Sequence, residues 1–395
     1  MSRLRIQVTL WSIVAIGALA YAPLAIEYAW KDFVPASPRL QNVVASGLVS
    51  DDFALGPESV EASQGAAYHD ARIALLAHTT FGALAMLACL VQFSRRIRER
   101  HWQLHRRLGK ITLGSVAISM VAGAVLLAQA PPNSAHLGWL ASTIQLIGLN
   151  VLTSGSAILA YLAIRGGDVR AHRAWMMFMF AMLLSAPLLR LSWFVLGNVF
   201  PWMNELMALR LGTVVLVLLT PAGAIAARAL SDRPATPPGT PPTLVVHPGI
   251  FGVVVVAGVA NTILVIDRMN GLNTTNDTAW TVIRFLPIAA LLAWFGVAAW
   301  RTHRAGEFIA AQDWQIFFLS MCAAPIALNV LWSLVAPFVA PAEAYLIAGM
   351  MGASAPLFTA YLMVVMRHAT FWQPLVQRLR PARTPLHTPD ALVDI

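Results

Sequence analysis

Two histidines occupy similar positions, each directly before a long apolar run. His105 lies in the segment LHRRLGK and His172 in RAHRAWM, and arginines accompany both. Two further histidines lie near the start of apolar runs: His78 comes six residues after Arg72, and His136 opens another run. Imidazole nitrogens ligate transition metals, so the depth of each histidine in its helix decides which rings can share one metal.

Placed by depth at about 1.5 Å of rise per residue, the four histidines fall into two pairs. His78 and His136 share the outer level of a four-helix bundle, on its first and third helices. His105 and His172 share the inner level, on the second and fourth. Bis-imidazole ligation of a b-type haem requires two such histidines, because one ring approaches the iron from each side. The sequence therefore predicts one or two b haems, with each pair holding an iron.

Residues near the histidines are suited to contact the macrocycle and the propionates of a haem. Gly82 and Gly109 each lie one helical turn beyond a histidine, which leaves bare backbone against which a macrocycle can lie. Arg106 and Arg173 at the inner level, and Arg190 at the outer level, offer cations for the propionates. A simpler interpretation stays open, because glycines also pack helices closely and a histidine at a helix end also binds water or a backbone carbonyl.

The composition shows which elements position these residues. The chain has 395 residues, of which 58% are hydrophobic and 11% charged, and a mean hydropathy of +0.67. These values exclude an ordinary soluble domain. Runs of about twenty apolar residues without two-residue alternation predict transmembrane helices. The fold class is all-α and multi-pass, with ten spans near 7–28, 71–94, 106–129, 136–164, 173–197, 207–230, 249–266, 281–300, 314–336 and 344–366.

Arginines concentrate in alternate loops, which predicts the orientation of the chain. With ten spans these loops share one side with both termini, and the positive-inside rule places that side in the cytoplasm. The opposite connection over residues 30–70 is acidic. The net charge of +9 therefore reflects membrane topology. It does not indicate nucleic-acid binding, which needs basic residues clustered on a folded soluble domain.

The predicted spans divide into four units. Residues 1–70 contain the first helix and a long outer loop, and residues 71–200 form the histidine-bearing four-helix bundle. Residues 201–343 form a second, degenerate four-helix bundle that includes a proline-rich linker at 231–248, and residues 344–395 form the last helix and a basic cytoplasmic tail.

The two bundles are predicted to be a parallel repeat. The segment 165–193 aligns with 304–332 at a constant offset of 139 residues, which pairs Trp175 with Trp314 and Trp193 with Trp332. The second copy has Ala311 where the first has His172. The predicted haem site is therefore confined to the first bundle.

The stretch AHTTFGALAMLACLVQFSRRIRERHWQLHRRLGKI, followed by HRAWMM and LLRLSW, resembles a family of bacterial membrane proteins known as domain of unknown function 2306. The resemblance implies a multi-pass protein of the bacterial inner membrane, with no assigned activity. The histidine spacing also resembles the two-haem arrangement of cytochrome b561, which is an architectural analogy. The matching family positions are His78, Gly82, Gln92, Phe93, Leu104, His105, Arg106, Gly109, His172, Arg173, Trp175, Met176, Leu189 and Arg190.

Three functions follow as hypotheses from these residues. The first is an electron carrier with haem b, in contact with the lipid bilayer, an electron donor and acceptor, and possible quinone partners; any enzymatic activity would then be oxidoreduction. The second is a transporter, or a lipid- or quinone-binding protein without haem. The third, a metal site of histidines alone, is disfavoured because no carboxylate or thiolate completes it. Cys89 and Cys322 lie inside spans, where they are expected to be buried apolar residues.

Overall fold

A computed structural model describes residues 3–34, 38–129, 139–231, 236–237, 239–270 and 277–372. Within these residues the chain is helical and contains no strand, so the predicted all-α class is confirmed. The helices are α1 (Arg3–Trp30), α2 (Leu40–Leu48), α3 (Asp51–Leu55), α4 (Val60–Asp70), α5 (Arg72–Phe93), α6 (Arg95–Arg100), α7 (Trp102–Gln129), α8 (Trp139–Arg165), α9 (Val169–Leu183), α10 (Ser185–Val199), α11 (Glu205–Ser231), α12 (Pro248–Asn270), α13 (Asp277–Arg304), α14 (Phe308–Val335) and α15 (Pro341–His368).

The number of spans agrees with the prediction. In the described part of the chain, nine helices are long and apolar enough to cross a membrane, namely α1, α5, α7, α8 and α11 to α15. If the bent pair α9 and α10 is counted as one span, the number is ten. Many of the large apolar side chains on these helices are exposed, as expected where lipid is the solvent.

The span predicted near 173–197 is formed by two helices. The chain forms α9 and α10 there, bent by 40° at the break after Leu183. Pro187 explains the position of the break, because proline has no N–H to donate to the carbonyl of Leu183 and its ring clashes with that carbonyl. The fifth span is therefore a discontinuous helix.

The long connection before α5 is folded into the three short helices α2, α3 and α4. Glu205, at the start of α11, accepts a hydrogen bond from the backbone N–H of Val60 at 2.6 Å. Arg39 is paired with Asp32 at 2.6 Å and with Glu61 at 2.9 Å. We call this end of the protein the capped end. The opposite end, where α5 and α8 finish and α7 and α9 begin, is the basic end.

Helices α5, α7, α8 and α9 form the ring of the predicted histidine-bearing bundle. Contacts join α5 to α7, α7 to α8, α8 to α9, and α9 back to α5. In this order α7 lies diagonally opposite α9, and α5 lies diagonally opposite α8. Helix α15, predicted as a separate last unit, packs against α8, α9, α11 and α14, and one apolar core extends from α1 to α15.

The repeat predicted at an offset of 139 residues has a local structural counterpart. Gly167 after α8 and Gly306 after α13 have positive φ angles of 77° and 74°. The turns that follow contain equivalent hydrogen bonds, from the N–H of Asp168 and from that of Glu307, each of 2.9 Å. The next neighbours differ, because α7 packs mainly against α5 whereas α12 packs mainly against α14. The likeness is thus observed for the hairpins α8–α9 and α13–α14, and the full four-helix repeat stays a prediction.

Candidate histidine site of the first bundle

His172 lies in the first turn of α9, which Asp168 positions. A side-chain oxygen of Asp168 accepts the N–H of Ala171 at 2.9 Å and so caps the helix. The other oxygen accepts the N–H of Thr370 at 2.7 Å, which ties the chain after α15 to this turn. Burial raises the pKa of Asp168, but the N–H groups of Ala171 and Thr370 outweigh this effect, so the pKa lies below its usual value.

The orientation of the His172 ring is fixed by a backbone hydrogen bond. Nδ1 of His172 lies 2.8 Å from the carbonyl oxygen of Ala160 on α8. A carbonyl oxygen only accepts, so Nδ1 donates the proton and the neutral ring keeps a lone pair on Nε2. Metal-binding histidines commonly make this kind of hydrogen bond. His172 is therefore prepared to ligate through Nε2.

His105 lies at the same end on the diagonal helix, in the first turn of α7. Its ring stacks at a tilt on Trp102, with the ring centroids 5.7 Å apart. Nδ1 of His105 is buried and has no hydrogen-bond partner among the residues described. The structure thus places both histidines in the first turns of diagonal helices at the basic end, and their sharing of one cofactor stays a prediction.

His78 faces α7 near the capped end. Its Nδ1 lies 2.9 Å from the carbonyl oxygen of Ser119, and the hydroxyl of Ser119 donates to the carbonyl oxygen of His78 at 2.8 Å. Gly123 leaves space for the ring, since a Cβ there would lie 2.9 Å from Nδ1. The predicted partner, His136, lies outside the described residues. Of the two predicted ligands of the outer haem, the structure describes only His78, so this haem stays a prediction.

The two glycines beside the histidines lie at helix contacts. A Cβ on Gly82 would lie 3.1 Å from the hydroxyl of Ser119, so this glycine permits the close approach of α5 and α7. A Cβ on Gly109 would lie 3.9 Å from Oε1 of Gln92, which is an ordinary contact. Helix packing thus accounts for Gly82, and the predicted contact of both glycines with a macrocycle stays a prediction.

The three arginines proposed for propionates have different surroundings. Arg106 is exposed to solvent. Arg173 is half-buried, and its Nε has no hydrogen-bond partner among the described residues. Arg190 lies near the capped end, with its guanidinium 4.8 Å from the ring centroid of Trp193 and 6.0 Å from that of Tyr21. Of the inner pair, Arg173 is better placed to meet a buried anion.

Several polar residues that were not predicted to be part of the histidine site support this region. Gln92 donates to the hydroxyl of Thr112, which joins α5 to α7. Asn150 donates to the carbonyl oxygen of Met120 at 2.7 Å and joins α8 to α7. Polar side chains within apolar spans are the signal that could have identified them, because such groups need partners away from water.

Two imidazoles are the donor set that a b-type haem requires, and haem binding by this pair stays a prediction. In the part of the chain that the structure describes, no three His, Cys, Asp or Glu side chains cluster as a metal-ion site would require. A haem needs only two protein ligands. Two cavities, one lined by residues of α11, α13, α14 and α15 and one at the basic end, touch neither His105 nor His172.

Comparison with known proteins gives one match. Residues 75–225 match a family model described as "Predicted membrane protein (DUF2306)". The match extends from α5 into α11 and includes His78, His105 and His172. No curated protein and no solved structure matches the chain. The resemblance to this family is thus supported over less than half of the chain, and the analogy with cytochrome b561 stays a prediction.

Proposed function

We propose that this multi-pass membrane protein transfers electrons, with a b-type haem held between His105 and His172. The observation that carries the proposal is that both half-buried rings lie in the first turns of diagonal helices at one end of the bundle, and that the hydrogen bond from Nδ1 of His172 to Ala160 leaves the lone pair of its neutral ring on Nε2. Two imidazole ligands stabilise both oxidation states of haem iron, and one-electron transfer is the chemistry that the cofactor supplies.

The chain's own residues have distinct tasks in this proposal. The carbonyl oxygen of Ala160 keeps the proton of His172 on Nδ1 and fixes the ring. The guanidinium of Arg173 binds a propionate, and the apolar walls of the surrounding helices exclude water. The basic end faces the cytoplasm of a bacterial cell, and a quinone in the bilayer is a fitting donor or acceptor.

The test is a spectrum of the protein purified from haem-sufficient cells. We expect a Soret band and an α band after reduction with dithionite, and we expect His105→Ala and His172→Ala to lose them. The matched control is His101→Ala, because His101 is exposed at the same end of the protein. A colourless wild-type protein, or equal loss of colour in the control, would refute the proposal.

Transport is a second candidate because the span of α9 and α10 is discontinuous, bent by 40°. Broken helices in transporters free backbone groups that bind substrates and ions near the middle of the membrane. Flux of a panel of solutes into proteoliposomes tests this candidate. A protein that moves a solute but shows no haem spectrum would favour transport, and no flux for any solute would count against it.

A further inference from the structure

The hairpin of α5 and α7 presents a row of basic side chains on its outer surface at the basic end. Arg106, Arg107 and Lys110 lie in the first three turns of α7 and are exposed. Helix α6, directly before α7, adds the exposed Arg96 and Arg100. In all, α6 and these turns of α7 have seven arginines and lysines against one glutamate. This surface is therefore strongly cationic.

Below these cations, the same face of α7 is apolar and points away from the bundle. Alternating spacings of four and three residues put a line of exposed side chains directly below Arg107. We call this line the α7 ridge, and its members are Ile111, Gly114, Ile118, Val121 and Val125. No atom lies within 4 Å of the place where a Cβ on Gly114 would be, so the ridge is open there.

The length of α7 places its cations at the edge of the hydrocarbon layer. From Ile111 to Ala128 the helix has no charged residue. This stretch is about 27 Å long at 1.5 Å per residue, close to the ~30 Å of hydrocarbon in a bilayer. Arg107 and Lys110 therefore lie within about one turn of that layer, at the level of lipid headgroups. Trp102, 56% exposed in the first turn, is typical of this level.

We propose that this surface binds an anionic phospholipid, with its phosphate against Arg107 and Lys110 and an acyl chain along the α7 ridge. The two cations are three residues apart, so both side chains reach one phosphate. The guanidinium donates parallel hydrogen bonds to phosphate oxygens, and the ammonium adds a compact charge. The excess of cations favours a lipid with a net negative headgroup, and the apolar ridge directly below favours a lipid over a free anion.

A second copy of this chain fits the same face less well. Two copies in one membrane have the same orientation, so a symmetric contact along the α7 ridge would place the cations of both copies at one level. Like charges at that level repel each other. The surface lies on the outside of the bundle, so the lipid needs no internal cavity and the proposal does not depend on haem binding.

The test places a reporter on the α7 ridge and measures which lipid reaches it. In Gly114→Cys a bimane label attaches at an exposed position, whereas the native Cys89 and Cys322 are buried. The labelled protein is placed in phosphatidylcholine nanodiscs that contain increasing fractions of phosphatidylglycerol brominated in the upper half of its acyl chains. Bromine quenches the label on contact, and brominated phosphatidylcholine is the reference. We expect phosphatidylglycerol to quench at a lower mole fraction than phosphatidylcholine.

Variants in the labelled protein test the two cations. Arg107→Gln and Lys110→Gln should each need ~5-fold more phosphatidylglycerol for half of the quenching, which is the effect of one basic residue near anionic lipid. The matched control is Arg165→Gln, because Arg165 is exposed at the same end but donates to the hydroxyl of Tyr161 at 3.3 Å. It removes the same charge and should leave the quenching curve unchanged.

Four outcomes would overturn the proposal. Equal quenching by the two lipids would mean that the α7 ridge does not select a headgroup, and no quenching by either would mean that protein covers the ridge. Unchanged quenching in both Arg107→Gln and Lys110→Gln would remove the proposed phosphate contacts. An equal shift in Arg165→Gln would show that overall surface charge sets the binding. Arg107 and Lys110 are exposed, so these variants should unfold at the wild-type temperature in phosphatidylcholine.

Discussion

Glu343 offers a sharp test of how the capped end is held together. This residue lies in the first turn of α15, and its Oε1 accepts the backbone N–H groups of Leu140 and Ala141 at 2.8 Å and 3.1 Å. Those N–H groups begin α8, where no intrahelical acceptor exists for them. Glu343 is thus a helix cap supplied from about 200 residues away in sequence.

The expected loss follows from these two contacts. Removing a side-chain cap costs about 0.5–2 kcal/mol, and each hydrogen bond to a charged group contributes about 1.5–3 kcal/mol. Because Glu343 is only half-buried and water partly replaces it, we expect Glu343→Ala to lose ~2–3 kcal/mol of unfolding free energy. Glu343→Gln keeps an acceptor oxygen and should lose only the charge–dipole part, ~0.5–1 kcal/mol.

Two measurements check this prediction. The unfolding temperature in detergent should fall by roughly 2 °C for each kcal/mol, so Glu343→Ala should melt about 4–6 °C below the wild type. Hydrogen exchange should become faster at the start of α8 in Glu343→Ala and stay near the wild-type rate in Glu343→Gln. If Glu343→Ala has the same unfolding temperature as the wild type and hydrogen exchange at the start of α8 is unchanged, the hydrogen bonds from Leu140 and Ala141 to Glu343 do not stabilise the fold.

Three further predictions concern other contacts. The ionised Asp168 should stabilise the fold above its unfolded-state pKa of about 3.9 and lose this effect as the pH falls through its lower folded value, so Asp168→Asn should flatten the acid limb of a stability–pH profile. Gly352→Ala should cost ~1–3 kcal/mol because its Cβ would lie 2.4 Å from the backbone of α14, whereas Gly148→Ala, with no atom within 4 Å, should melt with the wild type. Pro187→Ala should restore a donor to the carbonyl of Leu183 and slow hydrogen exchange between α9 and α10; unchanged exchange would mean that proline does not cause the break.

The fold class could be predicted because the constraint behind it is strong. Lipid tails offer no hydrogen-bond partners, so the backbone N–H and C=O groups of a membrane span must pair with each other within a helix. A run of about twenty apolar residues therefore predicts a transmembrane helix. The break at Leu183 was missed, although Pro187 was visible, because hydropathy does not distinguish a broken helix from a straight one. Helices α2, α3 and α4 could not be predicted, because the connection that contains them lacks a long apolar pattern.

The histidine site could be predicted only as far as depth along a helix. The rise per residue fixes the level of His105 and His172, and the structure places both at the basic end. The direction of each ring depends on helix rotation and on neighbouring backbone. The contact of His172 with Ala160 and that of His78 with Ser119 both involve carbonyl oxygens, which carry no sequence signal.

Backbone amides also explain the positions of three carboxylates in this chain. Glu205 accepts the N–H of Val60 at the start of α4, Glu343 accepts two N–H groups at the start of α8, and Asp168 accepts the N–H of Thr370 after α15. Each contact joins segments that are far apart in sequence. Association of helices within lipid gains little from the hydrophobic effect, because lipid tails are as apolar as leucine. Each of these hydrogen bonds holds the start of one helix against a distant segment of the chain, so these carboxylates contribute to the arrangement of the helices as well as to stability.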